Sequence, residues 1–310
     1  MSNTYNELKS ITINYMEGEW MEIRVLRYFI KVVQEQNISR AAQLLHVSQP
    51  TISRQLKELE DELGVVLFKR GSRSIELTES GDYLAEQARQ IISLADKTRD
   101  NIRQPTDITG SITIGSGESQ TMMTMAKAIK RLGDQYPHIK VNLVSTNADD
   151  VWKRLKTGLF DFGMVMEPTE KQHYDFMTLP GEARWGLLMR QDAPLAGKSE
   201  VTPSDFKGAK LIVSHQRGVS DLLKDWLGSS QVEYQIVATY NLLYNASLLV
   251  AAGVGYALCL DGIINTQGTN LKFVPLMPLN TAKTNLVWPH GVSMSGAAKA
   301  FLAEVTKTLS

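Results

Sequence analysis

The sequence predicts an all-α module at the N-terminus, a long connecting helix and a two-lobed α/β domain in the remainder of the chain. Three observations lead there. At 310 residues, 43% apolar and 21% charged, the chain is long enough for two or three packed domains. Helical spacing of apolar residues dominates from Met21 to Ile102. From Gly110 onward, short apolar runs alternate with helical patterns, which is the signature of an α/β domain.

Composition narrows the function classes. Thirty-three Lys and Arg balance thirty-three Asp and Glu, so any binding of nucleic acid must come from a local patch. The single cysteine, Cys259, lies in the apolar run Ala257-Leu258-Cys259-Leu260 and has no partner for an intrachain disulfide or a cysteine-based zinc site. With no apolar run long enough to span a bilayer and no basic-then-apolar leader, the expected location is cytoplasmic, without membrane contact. Residues 1–20 lack periodicity and read as an N-terminal extension. Glu17, Gly18 and Glu19 must be encoded by purine-rich codons just upstream of the Met21 codon, so a second expectation is that Met21 is the physiological start.

Residues 21–78 carry three helical patterns. Leu26, Phe29, Ile30 and Val33 mark the first, and Ser39 is a candidate cap for the second, Arg40 to Leu45, where Ala41 and Ala42 allow close helix approach. After the His46-Val47 turn, Ser48 is a natural N-cap, Pro50 suits the first helical turn, and Gly64 stops the third helix after Leu63. At about 100° per residue, Ile52, Leu56, Leu59 and Leu63 fall on one stripe while Pro50, Ser53, Arg54 and Lys57 centre on the opposite face. This is how a helix-turn-helix enters a major groove. Between Met21 and Arg73 nine basic residues face six acidic ones, a modest surplus that an ordinary three-helix bundle could also carry.

The run from Ala41 through Gln49-Pro50-Thr51-Ile52-Ser53-Arg54-Gln55-Leu56-Lys57 to Glu60, with Leu63-Gly64, Leu67-Phe68, Arg70 and Leu77-Thr78-Glu79-Ser80-Gly81, resembles the winged helix-turn-helix of LysR-type transcriptional regulators. That resemblance implies that Gln49, Pro50, Ser53 and Arg54 face bases and phosphates with Lys57 beside them. Arg70 and Arg73 would flank a wing in the minor groove. The chemistry agrees, because Arg forks onto guanine, Gln onto adenine, and arginines suit a narrow, negative minor groove.

Thr78 is the expected cap of the next helix, 79–105, with Glu79 and Asp82 complementing its positive end. Leu84, Ala88, Ile91, Ala95, Thr98 and Ile102 recur at alternating spacings of four and three. Such a seam packs either on its own domain or on a second copy, and it resembles the linker helix through which this family pairs its DNA-binding domains. Pairing predicts a dimer, or a tetramer of two dimers, on promoter DNA with an interrupted dyad. Pro105-Thr106-Asp107 is expected to break the helix.

In 110–310, strands are expected at Ile112-Ile114, Val141-Val144, Gly163-Met166, Leu187-Met189, Leu211-Val213, Gln235-Ala238, Tyr256-Leu258 and Leu286-Trp288, with a final helix carrying Phe301 and Val305. The first lobe takes in about 110–183 and 285–310, and the second about 184–284, with a cleft between them. The order, with Tyr136-Pro137, Leu159-Phe160-Asp161-Phe162-Gly163, Val250-Ala251-Ala252-Gly253-Val254-Gly255 and Val274-Pro275-Leu276, resembles the family's periplasmic-binding-protein-like effector-binding domain. Met125-Ala126 and Leu260-Asp261 depart from the family's usual Leu-Pro pairs.

Ligands of open α/β sheets sit at the carboxyl ends of strands. Candidate contacts there are Ser116 and Ser119 after the first strand, Ser145 and Asn147 after the second, and Ser214, His215 and Asn241 in the other lobe. Ser119 stands where the family commonly contacts its effector, and capping of the following helix is an equal reading. The ring suits a small polar or anionic effector, although Glu118 argues against strong anion selectivity. The five histidines (46, 138, 173, 215, 290) are scattered, and no paired nucleophile and base or dinucleotide loop is present, so neither catalysis nor a cofactor is expected. The expected function is effector-responsive control of a promoter, with contact to RNA polymerase one route of action. The competing class is a solute-binding protein or enzyme with an architectural helical module.

Overall fold

The structure is a computed structural model that describes residues 21–69, 75–102, 108–167, 173–216, 218–228, 230, 232–279 and 281–309. The expectations placed on residues 1–20, on the wing residues Arg70 and Arg73, and on the break at Pro105-Thr106-Asp107 lie outside the described residues. The chain divides into two compact units, Met1–Thr98 and Arg99–Ser310. Among the described residues no helix is long and apolar enough to cross a membrane.

The first unit is built from α1 (Ile23–Glu35), α2 (Ile38–Leu44), α3 (Gln49–Leu63), a two-stranded antiparallel ribbon of β1 (Phe68–Lys69) and β2 (Glu76–Leu77), and α4 (Glu79–Ile102) as far as Thr98. Local chemistry sets each boundary. Asn37, rather than Ser39, caps α2, because its Oδ1 accepts the Arg40 N–H at 3.0 Å and the helix starts at Ile38. Ser48 Oγ accepts the Thr51 N–H at 3.3 Å, Pro50 occupies the first turn of α3, and Gly64 ends that helix in the left-handed region. Thr78 Oγ1 accepts the Gly81 N–H at 3.0 Å and donates to the Val66 carbonyl at 2.7 Å, so one side chain both starts α4 and fastens it to the segment before β1.

Leu26, Phe29 and Val32 of α1, Ala41 and Ala42 of α2, Ile52, Leu56 and Leu59 of α3, and Leu67 form the core of this unit. Val33 is only partly buried, and Leu63 is exposed because the helix runs past the core before Gly64 ends it. The seam of α4 divides. Leu84 and Ala88, with Ala85, are buried in the head's own core, whereas Ile91 is 37% exposed, Leu94 40% and Ile102 75%. The single self-association seam expected from Leu84 to Ile102 is thus corrected for its first two turns. A heptad repeat records that a stripe will be covered but not whether the cover comes from the same chain or another copy. Arg27 of α1 pairs with Asp96 at 2.5 Å, so a polar tie joins α4 to α1 beyond the apolar contact.

The second unit follows the order β3 (Gly110–Ser116), α5 (Met122–Gln135), β4 (Ile139–Ser145), α6 (Ala148–Lys156), β5 (Phe162–Met166), β6 (Tyr174–Arg190), a 3-10 turn (Pro203–Phe206), β7 (Lys210–Ser214), α7 (Val219–Leu227), β8 (Gln235–Tyr240), α8 (Leu243–Ala251), β9 (Tyr256–Leu260), β10 (Leu271–Pro275), β11 (Thr281–Pro289) and α9 (Gly296–Leu309). The strands order as β4-β3-β5-β11-β6-β9-β7-β8, with β10 beside β6. Parallel β4-β3-β5 and β8-β7-β9 groups flank antiparallel pairings of β6 with β11, β9 and β10.

Strand β6 belongs to both lobes. Tyr174–Arg184 spans its pairing with β11, while Trp185–Arg190 pairs with β9 and β10. On the first lobe Ile112, Ile114, Phe162 and Leu286 pack beneath Met125, Ala128 and Leu132 of α5 and Phe301 and Val305 of α9, with the Phe162 and Phe301 rings 4.9 Å apart. On the second, Leu187, Met189, Leu211 and Leu258 pack against Phe206, Leu223 and Trp226, while Leu188, Ile212 and Ala257 face α8. Cys259 is buried in that second face, and desolvation pushes its thiol up to about 12, so it remains a neutral packing group.

Gly81 shows how closely α4 is fitted to the head. A Cβ there would stand 2.2 Å from the Leu67 carbonyl oxygen and 2.9 Å from Leu77 Cδ2. Helix propensity favours Ala over Gly by about 1 kcal/mol, whereas overpacking against backbone costs about 1–3 kcal/mol and dominates. Gly81→Ala is expected to lower the urea midpoint of the N-terminal unit, and a raised midpoint would show that propensity prevails.

Candidate nucleic-acid interface and ligand cavity

Helix α3 presents two opposed faces. Ile52, Leu56 and Leu59 are buried, while Gln49, Pro50, Arg54 and Lys57 are exposed and Ser53 is half-buried. Before it, His46 adopts a left-handed backbone with φ 55°, its N–H donates to the Gln43 carbonyl at 3.2 Å, and the Val47 N–H donates to the Ala42 carbonyl at 3.1 Å. This tight turn sets the angle between α2 and α3. Gln49 Nε2 donates to Ser53 Oγ at 2.8 Å, which holds two of the expected reading residues in one local arrangement. Arg54 Nε lies 3.7 Å from Glu58 Oε1 and its side chain is 72% exposed. Such a solvated pair is weak, so the guanidinium can exchange Glu58 for a base edge at little cost.

Glu60 is an additional positioning residue that the sequence pattern did not single out. Its Oε1 accepts the Leu67 N–H at 2.7 Å and the Phe68 N–H at 3.3 Å, linking α3 to the start of the β1–β2 ribbon. In sequence it is one of several acids near the end of a helix, and nothing in that run distinguishes it from a solvated carboxylate.

In the second unit a cavity of about 120 Å³ opens between the lobes. The first lobe contributes Gly117 and Glu118 after β3, Thr146 after β4, and Met166 and Glu167 at the end of β5. Trp185 of β6, Ser214 at the end of β7 with Gln216 beyond it, and Tyr240 at the end of β8 with Asn241 beyond it supply the opposite polar and aromatic wall. Leu222, Leu243, Leu260 and Ile263 close it with apolar surface. The cavity is therefore apolar in body with a few convergent polar groups, the usual make-up of a small-molecule site. Tyr240 OH donates to the Leu258 carbonyl at 2.7 Å. Burial, with Cys259 and Glu118 nearby, raises its pKa far above the ordinary phenol range and keeps it a neutral donor.

Of the candidate contacts, Ser214 and Asn241 line this cavity. Ser116 is buried behind it, donating to the Gly117 carbonyl at 2.6 Å. Asn147 caps α6 by accepting the Asp150 N–H at 3.0 Å, and Ser145 and His215 point to solvent-exposed surface. Ser119 neither lines the cavity nor caps α5. Its hydroxyl is 2.5 Å from that of Thr121, which in turn donates to Thr284 Oγ1 at 3.2 Å. The ring expected from strand ends is thus corrected. Strand-end position places a residue near the cleft, but side-chain alternation and capping decide whether it faces in. Glu118 was already marked by its charge in the loop after β3, whereas Thr146, Trp185, Gln216 and Tyr240 carry no sequence signal that sets them apart. Among the described residues no group of three His, Cys, Asp or Glu could hold a metal ion.

A helix-turn-helix with an exposed polar-basic helix and a two-lobed domain with a cavity between its lobes together define an effector-responsive DNA-binding transcriptional regulator. Residues 23–82 match the bacterial regulatory helix-turn-helix protein family, lysR family, and residues 106–310 match the LysR substrate binding domain. The chain belongs to the LysR family. It is 27% identical to the Hca operon transcriptional activator HcaR of Escherichia coli (strain K12) over 93% of this chain and 98% of that protein. It is also 27% identical to the regulator BenM of Acinetobacter baylyi over 83% of this chain and 86% of that one. Among solved structures, the LysR family regulator CbnR superposes with a TM-score of 0.71 at 21% identity, covering 94% of this chain and 100% of that one. Full-length CbnR complexed with its target DNA gives 0.71 at 22% identity over 93% and 100%.

The hydroxyl chain from Ser119 through Thr121 to Thr284 ties the loop after β3 to β11. Ser119→Ala is expected to lower the stability of the C-terminal unit by about 1 kcal/mol, read from a denaturant melt, because it removes one intramolecular hydrogen bond. Binding of a ligand in the cavity should change little, and a selective loss of ligand affinity with unchanged stability would contradict this placement.

Proposed function

We propose that this regulator controls promoter activity from an interrupted dyad, bound as a dimer or a pair of dimers, and that a small molecule in the interlobe cavity shifts the assembly between two arrangements. The observation that carries the DNA-binding half is the division of α3. Its apolar stripe is consumed by the head's core, which leaves Gln49, Pro50, Ser53, Arg54 and Lys57 on the outer face. In this reading Gln49 and Arg54 contact base edges, Ser53 and Pro50 pack along them, and Lys57 neutralises a phosphate. Arg70 and Arg73 would extend the contact into the minor groove.

Pairing of heads is supported by the second half of the α4 seam, where Ile91 and Ile102 remain exposed. Amphipathic helices that leave such a stripe uncovered in one chain gain by covering it with a second. Ser214 and Asn241 are the proposed effector contacts. Because an effector moves an equilibrium only by binding one arrangement better than the other, a cavity built from both lobes suits the task. Altered DNA bending or contact with RNA polymerase would then transmit the change, and no catalytic step is needed.

Arg54→Ala is expected to weaken binding to the chain's own upstream DNA by about 1–3 kcal/mol and to blur discrimination between sites, whereas Lys57→Ala should weaken all DNA nearly equally and reduce the salt slope by about 1. Gel shifts across a salt series separate the two, and unchanged binding by both folded variants would reject the reading face. Ile91→Asp should leave the head folded yet reduce the mass measured by sedimentation, since it places a carboxylate in the shared seam. Unaltered mass and full-site affinity would reject pairing through this stripe.

A further inference from the structure

The two lobes are bonded to each other at the start of α8. The first N–H groups of a helix have no intrahelical partner, and Leu242, at the N-cap of α8, makes no side-chain cap. Two other side chains take up these donors. Asn241 Oδ1 accepts the Leu242 N–H at 2.9 Å, and Glu118 Oε2 accepts the Leu243 N–H at 2.5 Å. Asn241 is local to the helix, whereas Glu118 comes from the loop after β3 in the other lobe, 125 residues away.

Each end of this bond belongs to a firmly held element. The loop is fastened to the first lobe on both sides of Glu118, by the Thr146 N–H donating to the Ser116 carbonyl at 2.8 Å and by the Ser119, Thr121 and Thr284 hydroxyls that run on to β11. On the second lobe, Leu243, Ala246 and Val250 of α8 are buried in one cluster with Leu188 of β6 and Ala257 of β9. A second contact supports the first. Gln120 rests on Gly262 in the turn after β9, where a Cβ would fall 2.3 Å from its side-chain amide, so this close seat exists only because residue 262 has no side chain. Glu118 and Leu243 both line the cavity.

We infer that Glu118 is a positioning residue that clasps the two lobes across the cavity, so that the cavity's shape is set before any ligand enters. A carboxylate that accepts a backbone N–H makes a charge-assisted bond, stronger than one between neutral groups. Because the bond joins two packed bodies, losing it lets the loop and the helix part and shifts the chain toward an open arrangement. A cavity already closed in this way spares a ligand part of the cost of ordering its own site. The clasp operates whatever the identity or charge of the molecule that the cavity takes.

The test reads opening of the cavity in the full chain without ligand. Ser214 lines the cavity from the second lobe and is buried, so Ser214→Cys places a thiol inside it, while Cys259, buried and neutral, is a silent background. Reaction of that thiol with a neutral pyridyl disulfide is followed at neutral pH along a urea series, together with hydrogen exchange of the Leu243 amide. Parting of the lobes exposes far less surface than unfolding does, so labelling by that route is nearly independent of urea. Adding Glu118→Ala should speed the urea-independent labelling about tenfold or more, as loss of one charge-assisted hydrogen bond allows, and should strip protection from the Leu243 amide. Glu118→Gln keeps an acceptor oxygen and should restore most of the slow labelling. The assignment is overturned if Glu118→Ala strips the amide of protection yet leaves labelling slow, since Glu118 would then cap α8 without holding the lobes. It is overturned equally if labelling is as fast with Glu118 in place as without it, or rises only along the urea-dependent route.

Discussion

The C-terminal unit depends on the backbone hydrogen bonding of one long strand. β6 runs for 17 residues and pairs with β11 along its first part and with β9 and β10 along its second. Backbone N–H and C=O groups buried in two cores must be satisfied in both, and a single extended segment does this without a loop at the junction. The lobes are therefore joined by a strand whose side chains face one core at Leu179 and the other at Leu187 and Met189. Where the chain passes from one to the other, Trp185 lines the cavity. The cavity thus follows from the sheet's construction and is placed where small relative motions of the lobes would change its shape most.

An analogous sharing occurs in α4, where one amphipathic stripe serves two purposes. Leu84 and Ala88 complete the head's core, and Thr78 fastens the start of the helix to the segment before β1, so the helix direction is fixed by the head. Its later turns, with Ile91, Leu94 and Ile102 exposed, remain available for another surface. In the proposed paired arrangement, rigid attachment would define the separation of the two heads, since each would be fixed to the element that pairs them. The Arg27–Asp96 pair adds a second point of attachment farther along the helix.

The helix-turn-helix shows the same economy of faces on a smaller scale. α3 gives Ile52, Leu56 and Leu59 to the core and keeps its N-terminal polar face exposed, and Glu60 uses its carboxylate to hold the following ribbon. Charge is distributed to match. Arg54 is paired only loosely with Glu58, so little has to be broken before it meets another acceptor.

Periodicity and capping chemistry by themselves determined the helical elements of the head, the stop at Gly64, the start of α4 at Thr78, most strands of the C-terminal domain and the two faces of α3. These are local properties, written in spacings of two or 3.6 residues and in the few side chains able to satisfy a helix terminus. The opening stretch of β6 escaped that reading because Pro180-Gly181 reads as a turn, and β10 because its five residues include Pro275. The choice of Asn37 over Ser39 as a cap turned on one residue of register. Which half of the α4 seam is buried, and which strand-end residues face the cavity, were decided by tertiary structure alone. Ser214 and Asn241 line the cavity while Ser145, Asn147 and Ser119 do not, the Asn147 amide being taken up in capping α6 and the Ser119 hydroxyl lying against that of Thr121. Glu118 is the clearest case. In sequence it is a carboxylate in a Gly-Ser loop, and only the approach of the second lobe brings the N–H of Leu243, 125 residues away, within reach of it.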